Sequence, residues 1–272
     1  MYSISSIDKL WYFYNRKKRF KMNHPYVKQS IEGQIAYIEF YHPSHNSLPG
    51  DILQKLVDLI ENTGLNKEVK VIVLQSGGDR TFCAGASFTE LINITDEESG
   101  KLFFSGFANV INAMRTCPKI IIGRIQGKAV GGGLGIIAAC DYCLATKHAE
   151  IKLSELNIGL GPFVIGPVIE RKIGLSSLSQ ISLNPTEFYS AIWSQQQGLY
   201  AEVFESILEL DREVQIFADQ LCNYNDEAMK ELKILFWRDT DHWDTLLYEQ
   251  AKISGRLVLS NYTKERLRKF KN

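Results

Sequence analysis

The chain has 272 residues, 45% of them hydrophobic, and its 31 basic and 31 acidic side chains give a formal charge of zero. That apolar content supplies a core for one large or two small domains, while the balanced charge leaves no global field to draw nucleic acid or an anionic membrane surface. Five cysteines, spread as Cys83, Cys117, Cys140, Cys143 and Cys222, do not form a disulfide framework and suit a reducing cytoplasm; no apolar run approaches the ~20 residues of a membrane helix, and nothing at the start reads as a signal peptide.

Residues 1–21 stand apart as a basic and aromatic extension (Trp11-Tyr12-Phe13-Tyr14, then Arg16-Lys17-Lys18-Arg19) without a clean period, expected to be dispensable or disordered. Partial alternation from Ile35 to Tyr41 predicts a strand. Gly50-Asp51 then opens an amphipathic helix carrying Ile52, Leu53, Leu56, Val57 and Ile60 on one side. Val71-Ile72-Val73-Leu74 reads as a buried strand. A helix runs through Phe103, Phe107, Val110, Ile111 and Met114 and ends before Pro118. Ile120-Ile121-Ile122 is another buried strand, the glycines at 131–133 turn the chain into a short apolar helix, and Tyr142 to Ala145 is a further strand. From Phe163 onward the pattern is almost all helical, including 186–193, 211–222, 225–238 and 241–259, with a basic tail. No Pro/Gly/Ser-rich linker intervenes, so the expectation is one α/β domain with a core over 22–200 and a helical C-terminal section over 201–272.

Two turns of small residues follow predicted strands, Phe82-Cys83-Ala84-Gly85-Ala86-Ser87 and Gly131-Gly132-Gly133-Leu134-Gly135. Glycine in such turns lets a backbone N–H approach a ligand with no side chain in the way, and a helix beginning at Gly132 or Gly133 adds unpaired N–H groups and the positive end of its dipole. Two amides converging on one carbonyl oxygen would stabilise an enolate-like oxyanion, by roughly 3–4 kcal/mol per donor. Either turn alone reads equally as packing or a phosphate cradle.

Together with later motifs, the turns resemble the crotonase (enoyl-CoA hydratase/isomerase) family. Its F-C-A-G-A-D signature is matched by Phe82 to Ala86, with Ser87 in place of the acid. G-x-x-x-G-G-G, then an apolar helix ending in C-D, is matched by Gly127 to Gly133 and Cys140-Asp141. P-E-x-x-x-G becomes Ser154-Glu155-Leu156-Asn157-Ile158-Gly159. Arg171 with Gly174 fits R-x-x-G, and Ser190-Ala191, Gly198-Leu199 and Glu202-Val203 fit a further small-residue pattern. Glu265 and Phe270 are similar to the family's terminal helix, so the resemblance spans about 27–270.

The resemblance implies a repeated ββα spiral, oxyanion donors at the N–H groups of Ala86 and Gly132, and a catalytic carboxylate at Glu155. It places His45, Asn46, Ala84, Ser87, Phe88, Gly131, Gly135, Pro162 and Phe163 around an acyl-CoA substrate. It also implies a homotrimer or homohexamer and neither metal nor redox cofactor, coenzyme A being part of the substrate. Gly135 departs from the family's two-glutamate hydratases, which carry their first glutamate at that position. Members with only the second glutamate include enoyl-CoA isomerases, and Phe163 stands where dienoyl isomerases place an acid. Isomerisation is therefore favoured, with hydration by a single glutamate left open, for example on a branched enoyl-CoA such as methylglutaconyl-CoA.

Gly161-Pro162-Phe163 replaces the usual small turn and implies an aromatic wall to the acyl pocket. Competing readings are a catalytically silent CoA-thioester scaffold and a dinucleotide-binding oxidoreductase, the latter lacking G-x-G-x-x-G after the first strand. Cys140-x-x-Cys143 has metal or redox spacing but no second pair and reads as helix end into strand. His42 and His45 read as loop residues at the CoA entrance. Glu90 caps or packs a helix, with proton transfer as the alternative. Ser87 has no histidine placed to activate it. Arg266, Arg268, Lys269 and Lys271 form a solvated face or a CoA-phosphate contact.

Overall fold

In the computed structural model the structure describes residues 24–271, and the N-terminal extension read over 1–21 lies outside them. A six-stranded sheet has the order β1 (Tyr26–Glu32), β2 (Ile35–Tyr41), β3 (Val71–Ser76), β5 (Ile120–Ile125), β7 (Tyr142–Thr146) and β9 (Glu202–Phe204). Only the β1–β2 pair is antiparallel. A second, parallel sheet holds the short strands β4 (Thr81–Cys83), β6 (Lys128–Val130) and β8 (Ile151–Lys152).

The chain thus steps from a strand of the large sheet to one of the small sheet and then to helix, in the successions β3 to β4, β5 to β6 and β7 to β8. The repetition matters because the stretch leaving each small-sheet strand is where the signature residues lie. Ala86 follows β4, Gly132 follows β6 and Glu155 follows β8. Parallel pairing puts those three exits at one end of the small sheet.

Both faces of the large sheet are covered, as parallel sheets require. Successive side chains point to opposite faces. Ile72, Leu74 and Ile121 enter the main core with α1 (Gly50–Leu65), the long helix α3 (Glu97–Thr116) beyond a single turn α2 (Phe88–Leu91), and α4 (Gly132–Ala139). Val71, Val73, Ile120, Ile122 and Leu144 face the other way. They meet Leu210, Val214 and Ala218 of Ile207–Cys222 and Met229 of Asp226–Phe236. Helix α4 is apolar on every side and accordingly buried from Gly133 to Ala139.

Two findings depart from the sequence reading. Strand β9 lies between the expected helices 186–193 and 211–222, in a region read as almost all helical, because three residues give no measurable period; its place is set by pairing with β7. The pattern Ser190-Ala191 to Val203 is accordingly mixed. Ser190 caps the helix Ala191–Gln196, Gly198 takes a positive φ of 83°, and Val203 belongs to the strand. Secondly, the helix Gly166–Leu183 is broken at Gly174, whose φ of 78° ends one helical run and starts the next, which is the structural content of the R-x-x-G pair. Its Arg171 stacks over Trp237, 4.7 Å from the ring centre.

The C-terminal helices close over the core. Trp243–Val258 crosses α3 at a glycine contact, a Cβ added to Gly100 falling 2.8 Å from Gly255 Cα. The last helix, Asn261–Lys271, returns to the Glu155 loop, where Thr263 Oγ1 donates to Gly159 O at 3.4 Å. Leu91, Leu160, Val258 and Leu267 form a small core there. Among the described residues no helix is long and apolar enough to cross a membrane.

Candidate active site

The first turn is positioned by two buried amides. Asn46 Nδ2 donates to Gly77 O and Thr81 O, both at 2.8 Å, while Gln126 Nε2 reaches Ser76 Oγ, Gly78 O and Thr81 O. These bonds tie the end of β3 to the start of β4 and so fix where Cys83 to Ala86 emerges. Leu48 N donates to Gly85 O, Ser87 N to Leu48 O and Ala84 N to His45 O. Between them the Ala86 N–H donates to no backbone carbonyl among the described residues. Burial pushes the neighbouring Cys83 thiol up to about 12, which keeps it protonated and inert.

The second turn begins at Gly131, with φ 53° and ψ −121°, a conformation that glycine adopts without strain. Gly132 and Gly133 follow as the first residues of α4, where N–H groups lack intrahelical acceptors. The two turns touch: a Cβ added to Gly85 would lie 3.5 Å from Gly132 N. Any side chain at Gly132 would enter the ring of Phe107, and one at Gly133 would meet Cys83 Cβ at 2.7 Å. The glycines are therefore required by packing as well as by access.

Glu155 opens a 3-10 turn, Glu155–Ile158, directly after β8. A Cβ on Gly131 would stand 2.7 Å from its Oε1, so the carboxylate rests on the face of the second turn. Its Oε2 is buried with no hydrogen-bond partner. Burial raises the Glu155 pKa from 4.5 to about 7, and the backbone amides of Glu155 and Ser154 offset that only in part. An unpartnered buried carboxyl oxygen is costly to a fold, and a titration near neutrality is what a proton-transfer group needs.

The three groups share a cavity of about 210 Å³. Of the residues the sequence assigned to the site, Ala84, Ala86, Phe88, Gly131, Gly132, Glu155, Pro162 and Phe163 line it. His45, Asn46, Ser87 and Gly135 do not. His45 is exposed with φ 54° and approaches only through its carbonyl. The Asn46 side chain is committed to the β3–β4 connection. Ser87 caps α2 by accepting from Glu90 N at 3.3 Å. Glu90 accepts from Gly50 N at 3.0 Å, so it caps the start of α1 rather than facing the cavity.

Gly135 is packed instead of open: a Cβ there would meet Ile165 Cγ2 at 2.5 Å and Ile165 Cβ at 2.8 Å, and Ile165 is itself a wall of the cavity. The volume that a carboxylate at this position would use is filled. Gly135→Glu is therefore expected to lower stability by about 1–3 kcal/mol, by equilibrium denaturation, without creating hydratase activity. A stable variant with new hydration would contradict this.

The structure adds wall residues that the sequence did not single out for the site. Phe103, Phe104 and Phe107 come from α3, and Ser254 arrives from the helix Trp243–Val258. Phe103 and Phe107 were legible only as part of a helical face, Phe104 was not singled out, and Ser254 carries no local signal. Cys140 and Cys143 are buried free thiols behind Gly123, and no cluster of three or more His, Cys, Asp or Glu side chains suited to a metal occurs among the described residues.

The sequence pattern described as Enoyl-CoA hydratase/isomerase matches residues 30–269. A probable enoyl-CoA hydratase of Bacillus subtilis (strain 168) is 24% identical over 246 residues, 90% of this chain and 95% of its own length. A peroxisomal Delta(3,5)-Delta(2,4)-dienoyl-CoA isomerase of Arabidopsis thaliana is 24% identical over 231 residues, 79% of this chain and 81% of its own. The crystal structure of an enoyl-CoA hydratase from Bacillus halodurans superposes with a TM-score of 0.84 at 21% identity, covering 90% of this chain and 99% of that one.

Proposed function

The chain belongs to the enoyl-CoA hydratase/isomerase family, and on that premise we propose that it is an enoyl-CoA isomerase working with a single carboxylate. The thioester oxygen of the substrate lies between the N–H groups of Ala86 and Gly132. Glu155, ionised, removes a proton from C2 of a 3-enoyl thioester; the electron pair moves through the carbonyl to make a dienolate, whose oxygen the two amides stabilise. Glu155 then returns the proton to C4, giving the 2-enoyl thioester. One carboxylate completes the cycle because it ends in the state in which it began.

The observation that carries this reading is the Glu155 Oε2, buried and unpartnered beside two amides that are free of backbone acceptors. The absence of a carboxylate at residue 135, where any side chain would run into Ile165, favours isomerisation over hydration. Hydration by Glu155 alone is the second reading. Purified protein assayed with 3-hexenoyl-CoA and with 2-hexenoyl-CoA in water separates them. Conversion of the first without water addition to the second is expected, and hydration of the second with no isomerisation of the first would overturn the proposal.

A pH profile follows from the same carboxyl. The base must be ionised, so kcat/KM rises with pH, tenfold per pH unit below about 7, and levels off above it. A profile flat from pH 5 to 9 would remove Glu155 from the role. Assembly as a homotrimer or hexamer belongs to the same reading, and exposed Leu175 and Leu183, two turns apart on one helix, are apolar surface for it. No metal or redox cofactor enters this cycle.

A further inference from the structure

The wall of the cavity contains phenylalanine from three separate segments: Phe88, the α3 residues Phe103, Phe104 and Phe107, and Phe163. Its polar side chains are Ser154, Glu155 and Ser254, and no lysine, arginine or histidine of the described residues lines it. Phe103 and Phe104 meet edge to face with centroids 5.0 Å apart, Phe107 packs on the Gly132 turn, and a Cβ on Gly161 would touch Phe163 Cζ at 2.6 Å. Ser254 Oγ is turned to its own helix, donating to Gln250 O at 3.3 Å.

We infer that this site takes an uncharged, apolar acyl group and discriminates against acyl chains ending in a carboxylate. The inference rests on the reading of the cavity as the acyl site. An acyl carboxylate entering it would leave water for an aromatic surround and find no cation there. It would also stand near Glu155, the only titratable side chain on the wall among the described residues, in the ionised state that proton abstraction requires. Burial and like charge therefore act in the same direction. The methylglutaconyl group considered from the sequence carries such a carboxylate and is disfavoured. A neutral planar enoyl chain has the opposite properties, since its extended π system can lie against the phenylalanine faces.

The test compares butyryl-CoA with glutaryl-CoA, which share the CoA portion and differ in the terminal carboxylate, by titration calorimetry on the full chain at pH 8. The expected Kd for glutaryl-CoA is at least tenfold weaker, and kcat/KM for glutaconyl-CoA at least 100-fold below that for 2- or 3-hexenoyl-CoA, whichever is turned over. In Phe104→Arg the Kd ratio should fall at least threefold, because a cation then lines the wall. Equal or tighter binding of glutaryl-CoA to the unaltered protein overturns the inference while leaving the acyl-CoA reading intact. Failure of both ligands to bind overturns that reading and this inference with it. Preferential binding of butyryl-CoA without turnover of any enoyl-CoA would sustain the inference and sink the isomerase assignment.

Discussion

Glu155→Gln lowers kcat by about 100- to 10,000-fold while leaving acyl-CoA binding within a few fold of the unaltered protein. Glutamine keeps the shape but cannot take a proton at C2, and the two amides proposed to hold the thioester are untouched. The same substitution should not weaken the fold. The Glu155 pKa of about 7 exceeds the 4.5 of an unburied glutamate, so the folded state binds its proton more tightly than the unfolded state does. Stability is full below about pH 4.5, falls as pH rises through the folded value near 7, and the loss is complete above it. At pH 8 the ionised carboxyl costs at most about 3 kcal/mol, an upper limit because part of the residue reaches solvent. Glu155→Gln removes that cost. The melting temperature of the variant should equal or exceed that of the unaltered protein at pH 8, with a smaller difference at pH 5. A variant with full turnover would show that another group moves the proton; one that is inactive and much less stable would make the residue structural.

Lys233→Met should be the most damaging single change to stability outside the site. Asp141, at the exit of α4, has a fully buried side chain that accepts from Lys233 Nζ at 2.6 Å, Trp237 Nε1 at 2.8 Å and Ile121 N at 2.8 Å. Lys233 is buried to the same degree. Removing the lysine leaves the buried carboxylate its Trp237 and Ile121 N–H donors but takes away its ion-pair partner, which costs about 3–5 kcal/mol, whereas replacing both charges with neutral groups of like volume costs much less. For a domain of this size that loss lowers the melting temperature by roughly 10 °C. The pair Asp141→Asn, Lys233→Met should recover most of it. Calorimetric melting of the unaltered protein and the two variants checks this, and a double variant no more stable than Lys233→Met would show that the lysine acts through something other than the charge of Asp141. The pair also links C-terminal helix Asp226–Phe236 to the start of β7, so Asp141 of Cys140-Asp141 has a packing role in this chain and does not line the cavity.

Much of this organisation is legible in local sequence. Apolar runs such as Val71 to Leu74 and Ile120 to Ile122 determine buried parallel strands, because both faces of the sheet must be covered, and the spacing from Ile52 to Ile60 determines an amphipathic helix. Gly85 and Gly131 announce turns, since their positive φ values are open to few other residues. The strands of the small sheet, two or three residues long, and β9 were beyond such reading, because their pairing partners are distant in the chain and their own length carries no period.

The same division runs through the candidate site. The amide-bearing turns and Glu155 stand out as patterns of residue type. Asn46 and Ser87 belong to similar patterns, yet the tertiary structure commits their side chains to a strand connection and a helix cap. Gly135 shows from sequence that a carboxylate is missing; only the packing of Ile165 shows that the space for it is missing as well. The burial that lifts Glu155 toward neutrality, and the convergence of Phe88, Phe103, Phe107 and Phe163 with Ser254, depend on contacts between segments far apart in the chain. Residue type determines which chemistry is available, and desolvation and convergence, which are properties of the folded chain alone, decide where it operates.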